Sequence, residues 1–218
     1  MNPENIEKLN AAYAPLRPGE RFKKIFEDFS KILITSSFGT TSAYSLSLLK
    51  ETGTPFKVYF LDTGYHFPET LAYMNTLKLA LNLDVHVLKA EAWKHQFTKE
   101  DRTWEKDPDY CCTLNKVEPL QKIKGDYEVW VSGLMRTQNN FRNKLPVFEF
   151  KSNILKFYPI IDISEEEALA YIKSKGIPAH PLLDAGYASV GCTHCTVKGK
   201  SRDGRWANIS KSECGLHQ

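Results

Sequence analysis

Residues 31–50 read KILITSSFGTTSAYSLSLLK: an apolar β-branched run, a turn of small hydroxyl residues, then a helical pattern. A strand that opens through Ser36-Ser37-Phe38-Gly39-Thr40-Thr41-Ser42 into a helix turns backbone N–H groups and hydroxyls toward whatever lies beyond the strand end. Such a turn suits an anion, because the first N–H groups of a helix lack intrahelical partners. It matches neither G-x-x-x-x-G-K-S/T nor G-x-G-x-x-G. A Ser-rich turn alone is more often just a helix cap, so the rest of the chain decides its meaning.

Similar apolar runs recur at 57–61, 85–89, 128–131 and 155–160, and the first spans 31–35. Between them lie helical patterns over 18–29, 43–50, 68–81, 116–124 and 164–175. Strands alternating with helices predict an α/β fold, a parallel sheet flanked by helices. Start and stop signals agree. Pro68-Glu69 places proline and an acid in a first turn, Ser164 followed by three glutamates reads as a capping box, and Gly176 stands before Pro178 as a stop. In such sheets ligands gather outside the carboxyl ends of the strands. There the sequence places the first turn, then Leu61-Asp62-Thr63-Gly64, then Ser132-Gly133 leading to Arg136, Gln138 and Arg142.

With 218 residues, 42% hydrophobic and 25% charged, the chain has the composition of a globular protein large enough to bury roughly 70% of its unfolded surface. No stretch approaches the ~20 apolar residues of a membrane span. The N-terminal MNPENIEKLNAAYAPLRPGE has no apolar core of a secretory leader, which points to a cytoplasmic protein. The net charge of +3 does not argue for nucleic acid, although Lys198, Lys200, Arg202, Arg205 and Lys211 face only Asp203 between residues 196 and 211. Residues 1–180 are expected to form the α/β body. Residues 181–218, rich in glycine and basic residues and without periodicity, are expected to be a loop-rich extension.

Five cysteines complete the inventory: Cys111-Cys112, Cys192-x-x-Cys195 and Cys214 near the C-terminal end. Two pairs can hold one metal centre and leave the fifth thiol free. Spacing leaves zinc, an iron–sulfur cluster and disulfides open, though adjacent cysteines diverge and suit the wide corners of a cubane.

Six segments together resemble the assimilatory sulfonucleotide reductases: SSFGTTSAYSLSLL (36–49), LDTGYHFPET (61–70), CCTLNKVEPL (111–120), SGLMRTQNNFRNKLPV (132–147), HPLLDAGYASVGCTHCT (180–196) and ECGLH (213–217). The resemblance implies a Rossmann-like, adenine-nucleotide α-hydrolase-like fold for 1–180, and a mobile catalytic tail. One branch of that family acts on adenosine 5′-phosphosulfate (APS) with a [4Fe–4S] cluster; the other acts on the 3′-phosphorylated form (PAPS) without one. Both cysteine pairs and Arg202-x-Gly-Arg205-Trp206 look like the APS branch, while the acid-free first turn looks like the PAPS branch. Met135 and Asn139 stand where the family usually has arginine and serine.

The resemblance further implies Cys111, Cys112, Cys192 and Cys195 as cluster ligands and Lys116 between cluster and substrate. Cys214 would be the nucleophile, sulfonated by the nucleotide and released by thioredoxin or glutaredoxin. Substrate contacts are expected from Ser36, Ser37, Phe38 and Gly39 in the first turn and from Leu61, Asp62 and Gly64 in the second. Arg136, Arg142, Arg202 and Arg205 would engage phosphate and sulfate oxygens, as basic groups must where an anion meets a thiolate. His217 is a candidate proton partner, and Trp93, Trp104 and Trp130 are expected to pack. The resemblance leaves room for a homo-oligomer and implies neither membrane nor nucleic-acid partners. Two rivals fit less well. An ATP-cleaving ligase on this fold expects a Ser-Gly-Gly-x-Asp-Ser loop, and a zinc-stabilised nucleic-acid-binding module leaves ECGLH unexplained.

Overall fold

A computed structural model describes residues 2–207, 211 and 213–217. Six strands form one sheet in the order β3-β2-β1-β4-β6-β5. They are β1 (Ile32–Thr35), β2 (Lys57–Asp62), β3 (Asp84–Lys89), β4 (Val129–Val131), β5 (Phe148–Lys151) and β6 (Ile154–Phe157). Every pairing is parallel except β5 with β6, an antiparallel hairpin at the sheet edge. The parallel sheet expected from sequence thus carries one antiparallel hairpin at its edge. Ser152 and Asn153 both take positive φ (55° and 60°), the two-residue geometry whose twist matches a hairpin.

The helices are α1 (Pro3–Tyr13), α2 (Pro18–Asp28), α3 (Ser42–Glu51), α4 (Pro68–Ala80), α5 (Ala92–Glu100), α6 (Thr103–Lys106), α7 (Pro108–Cys112), α8 (Glu118–Lys124), α9 (Glu165–Ser174) and α10 (Pro181–Asp184). The signals read from sequence hold. Pro68 opens α4, and the Ser164 hydroxyl accepts from Glu167 N–H while the Glu167 carboxylate accepts from Ser164 N–H. Gly176 terminates α9 at φ 64°.

Alternation along the strands sorts the core. Ile34, Val58, Phe60, Val129, Val131, Leu155 and Phe157 face one layer with residues of α2, α3, α4 and α9. Leu33, Leu61, Trp130 and Ile154 face the other, covered by Leu120 and Ile123 of α8 and by Leu216 of the tail. Between α7 and α8 the helix widens into a π turn, Thr113–Val117. Pro119 follows directly and has no N–H to offer the Asn115 carbonyl, so the regular ladder cannot be kept there. The sequence marks 116–124 as one helix; the π turn instead sets Lys116 facing the sheet's carboxyl edge, where the site lies.

Arg21 ties the layers at their base. It is 1% exposed and donates to the carbonyls of Tyr13, Ala14 and Pro159 and to both oxygens of Asp162. Among the described residues no helix is long and apolar enough to cross a membrane.

Candidate active site

A cavity of about 190 Å³ opens at the carboxyl ends of β1, β2 and β4. It is smaller than the ~300–1,000 Å³ common for small-molecule clefts, and Cys214, Leu216 and His217 of the tail form one side of it. The first turn forms another side through Ser36, Ser37, Gly39, Thr40 and Thr41. Phe38 does not join them: it takes φ 48°, and its ring is fully buried edge-on to Phe60 at 5.5 Å. The left-handed residue turns the loop while the aromatic anchors it, so Phe38 shapes the cavity from behind. Thr40 fastens the loop by donating to the Ala188 carbonyl at 2.7 Å, and Ser189, Val190 and Gly191, which sequence reasoning missed, line the cavity beside it.

The second turn divides likewise. Leu61 lines the cavity. Asp62 and Gly64 lie outside it, Asp62 accepting from Gly64 N–H at 3.0 Å and pairing with Lys89 at 3.0 Å. His66, also unforeseen, lines the cavity and places Nε2 2.9 Å from the Leu61 carbonyl. Burial pushes its pKa down to about 4. Arg136 is likewise outside, its Nε donating to the Leu145 carbonyl at 3.1 Å.

Three basic residues remain at the cavity with Lys116. Arg205 reaches in because position 191 is glycine: a Cβ there would sit 2.2 Å from its guanidinium. Among the described residues its Nε is buried without a partner, as is the Nε of Arg202. Arg142 and Arg202, expected to meet substrate oxygens, both bond the Glu213 carboxylate in this structure, Arg142 at 2.6 and 2.7 Å and Arg202 at 2.8 Å. Burial would raise the Glu213 pKa, but Arg142 holds it far below the usual carboxylate range.

The tail is thus docked, where its polar composition suggested exposure. Glu213 is 4% exposed and His217 9%. His217 stacks on Trp130 at 5.4 Å, and its Nε2 is 3.5 Å from Ser132 Oγ. Burial, then Arg142, drives its pKa well down. Of the tryptophans expected to pack, Trp130 does so and Trp104 stacks on His194 at 4.0 Å, whereas Trp93 is 65% exposed.

The Cys214 sulfur lies 3.9 Å from Lys116 Nζ. A hydrogen bond from the Cys112 thiol lowers its pKa well below the ordinary value; burial opposes this, and Lys116 adds to the lowering. Lys116 itself, 9% exposed, stays charged because the neighbouring sulfurs of Cys192 and Cys214 outweigh its burial. The arrangement offers a thiolate beside a fixed cation, at the mouth of a hydroxyl-lined cavity.

All five cysteines are free thiols. Cys111 and Cys192 are buried together with Tyr65, and Cys195 packs against them. The Thr193 N–H to Tyr65 carbonyl bond, 2.8 Å, draws the Cys192-x-x-Cys195 turn against the second strand's loop. Donors already face the sulfurs: Thr63 Oγ1 is 3.3 Å from Cys192, Asn115 Nδ2 3.8 Å from Cys111 and Lys211 Nζ 3.6 Å from Cys112. Cys112 is turned to Cys214, to which its thiol hydrogen-bonds. Among the described residues no group of three or more donors is gathered tightly enough for one metal ion. Four free thiols on two apposed segments, with N–H, O–H and cationic groups beside them, offer the soft donor set that a thiolate-bound metal centre needs.

The family described as phosphoadenosine phosphosulfate reductase domain matches residues 31–198. The chain is 36% identical to the phosphoadenosine 5′-phosphosulfate reductase of Aliivibrio salmonicida, over 98% of this chain and 88% of that protein. It is 39% identical to the adenosine 5′-phosphosulfate reductase of Streptomyces coelicolor, over 73% of this chain and 71% of that one. Among solved structures it superposes on the phosphoadenylyl-sulfate reductase of Candida auris, a phosphate complex, with a TM-score of 0.79 and 30% identity, covering 90% of this chain and 98% of that one. An FMN adenylyltransferase of Candida glabrata, 14% identical at a TM-score of 0.59 and covering 97% of this chain and 82% of that one, shares the fold.

Proposed function

The chain belongs to the phosphoadenosine phosphosulfate reductase family, and from that premise we propose that it reduces APS to sulfite and AMP through a sulfonated Cys214. The observation that carries this is the meeting of Cys214 and Lys116 at a cavity that the Ser36-Ser37 turn also lines. A nucleotide phosphosulfate is an anion with an electrophilic sulfur, and it needs hydroxyl and N–H donors at one end and a cation and a nucleophile at the other.

Ser36, Ser37, Gly39 and Leu61 receive the adenosine and its phosphate. Lys116 and Arg205 hold the sulfate oxygens, and they neutralise charge as the Cys214 thiolate approaches. The Cys214–sulfur bond forms, the anhydride S–O bond breaks, and AMP leaves with the electron pair. An external dithiol of the thioredoxin class then attacks Cys214 Sγ. Sulfite departs with the electron pair of the broken S–S bond, and the partner's second thiol closes its own disulfide. The two electrons that take sulfur from sulfate to sulfite oxidation state come from that partner.

Cys111, Cys112, Cys192 and Cys195 are the residues that would hold a [4Fe–4S] cluster, with Cys112 turning from Cys214 to do so. Once bound, such a cluster supplies a fixed charge and a rigid anchor for the helix that carries Lys116. Both cysteine pairs and the Arg202-x-Gly-Arg205-Trp206 segment favour APS. The acid-free first turn and the names of the Aliivibrio and Candida relatives favour PAPS as the second reading. Sulfite release from each nucleotide with thioredoxin, for wild type and Cys214→Ser, tests both. Faster turnover of APS and none in the variant are expected; turnover by Cys214→Ser contradicts the covalent route.

A further inference from the structure

Lys156 takes no part in the steps above and does not line the cavity. It sits on β6, 1% exposed, and among the described residues it makes no ion pair. Its cross-strand neighbour Glu149 instead accepts from the Tyr158 hydroxyl at 2.6 Å. A buried ammonium without a carboxylate is costly, so what does meet it matters. Two groups do: the Trp130 ring, 5.1 Å from Nζ, and the carbonyl of Leu216, 3.3 Å away. Trp130 is itself fixed, donating Nε1–H to Thr35 Oγ1 at 2.8 Å, and His217 stacks on it.

β1, β4 and β6 are consecutive in the sheet. Thr35, Trp130 and Lys156 therefore build one seat across three neighbouring strands. We propose that Lys156 is a positioning residue: with Trp130 it grips the tail backbone two residues beyond Cys214 and so holds that sulfur over the cavity. Glu213 is pinned by Arg142 one residue before Cys214, and Leu216 is pinned by Lys156 two residues after it. A thiol held from both flanks is pre-oriented, whereas one held from a single flank swings. The proposal rests on Cys214 being the nucleophile.

The test compares wild type, Lys156→Met, Lys156→Arg and Trp130→Leu by iodoacetamide labelling of each cysteine, mapped by mass spectrometry, with AMP affinity measured alongside. Loss of one charge-assisted hydrogen bond should speed Cys214 labelling by about 10- to 100-fold, while Cys192 labelling and AMP affinity stay at wild-type values. Trp130→Leu should show the same selective exposure, and Lys156→Arg, which keeps a donor, should restore protection. S-sulfonation at saturating nucleotide should slow in Lys156→Met by a similar factor. Wild-type labelling of Cys214 in Lys156→Met overturns the proposal, and so does equal acceleration at every cysteine, which reports loss of fold. Failure of wild-type enzyme to form any sulfonate adduct counts against the covalent route instead, and leaves the labelling ratios to judge the seat.

Discussion

Glu213 meets Arg142 in a two-point ion pair, Nε to Oε2 at 2.6 Å and the terminal nitrogen to Oε1 at 2.7 Å, with both side chains 5% exposed or less. The residue before the candidate nucleophile is thus tethered to the loop after β4, and Arg202 joins the same carboxylate at 2.8 Å. Two arginines that the family resemblance assigns to a substrate anion are held by an internal carboxylate in this structure. On the proposed function, substrate and tail compete for the same cations.

Glu213→Gln removes the shared charge and leaves Arg142 and Arg202 uncompensated, at a cost of about 3–5 kcal/mol against tail docking. The sheet does not depend on this pair, so thermal unfolding should change little. Hydrogen exchange should rise sharply at the Cys214–His217 amides alone; unchanged protection there would show that the pair is not what docks the tail.

The same pair makes docking sensitive to acid. Glu213 has a folded pKa depressed below its unfolded value, the charge on Arg142 overcoming burial. Its contribution is complete above the ordinary carboxylate value of about 4.3 and fades as pH falls below it. Pepsin cleavage near the tail should accelerate from pH 4 downward in wild type, on the order of one proton per event, and be flat in Glu213→Gln. Parallel profiles for the two proteins would remove Glu213 as the titrating group.

Lys116 Nζ lies 3.9 Å from the Cys214 sulfur. Replacing it with Met removes the cation that offsets both thiolate and sulfate, and the rate of S-sulfonation should fall by about 10²–10³-fold. Stopped-flow measurement with saturating nucleotide reads this directly, and a change under about threefold would assign Lys116 to structure alone.

Anaerobically purified protein should be brown and carry iron and sulfide in equal amounts. Cys192→Ser should lose both, since Cys192 is buried in one group with Cys111 and Cys195. A colourless protein with one zinc per chain would point to the single-ion alternative.

Arg21 supplies the clearest stability test. Met at this position leaves three carbonyls and Asp162 short of a donor, and Arg21→Met should lower unfolding free energy by about 3 kcal/mol. Denaturant unfolding measures it; a loss under about 1 kcal/mol would mean water replaces the guanidinium.

The strands β1, β2 and β4 were readable because their buried, β-branched residues have no other use, and Ser164, Gly176 and Pro68 announced their helix ends. β5 was not: Phe148–Lys151 is short, alternates, and turns through Ser152-Asn153 without glycine. α1 and α5 are largely polar and exposed, so their periodicity is faint. In the site, Ser36, Ser37, Gly39, Leu61, Lys116, Arg205 and Cys214 line one cavity. Phe38 does not, because a large apolar ring in a left-handed turn goes to the core. Asp62 spends its acceptors on its own turn. Arg142 and Arg202 line the cavity but bond Glu213, and nothing local in the sequence reveals that a carboxylate arrives from the tail.

The central claim is that Cys214 alone accepts the sulfonate. Intact and peptide mass spectrometry of enzyme mixed with APS, without any dithiol, should show one SO₃ adduct, on Cys214, that disappears with sulfite release when thioredoxin is added. An adduct on Cys112 or another cysteine, or none at all while AMP accumulates, would contradict it.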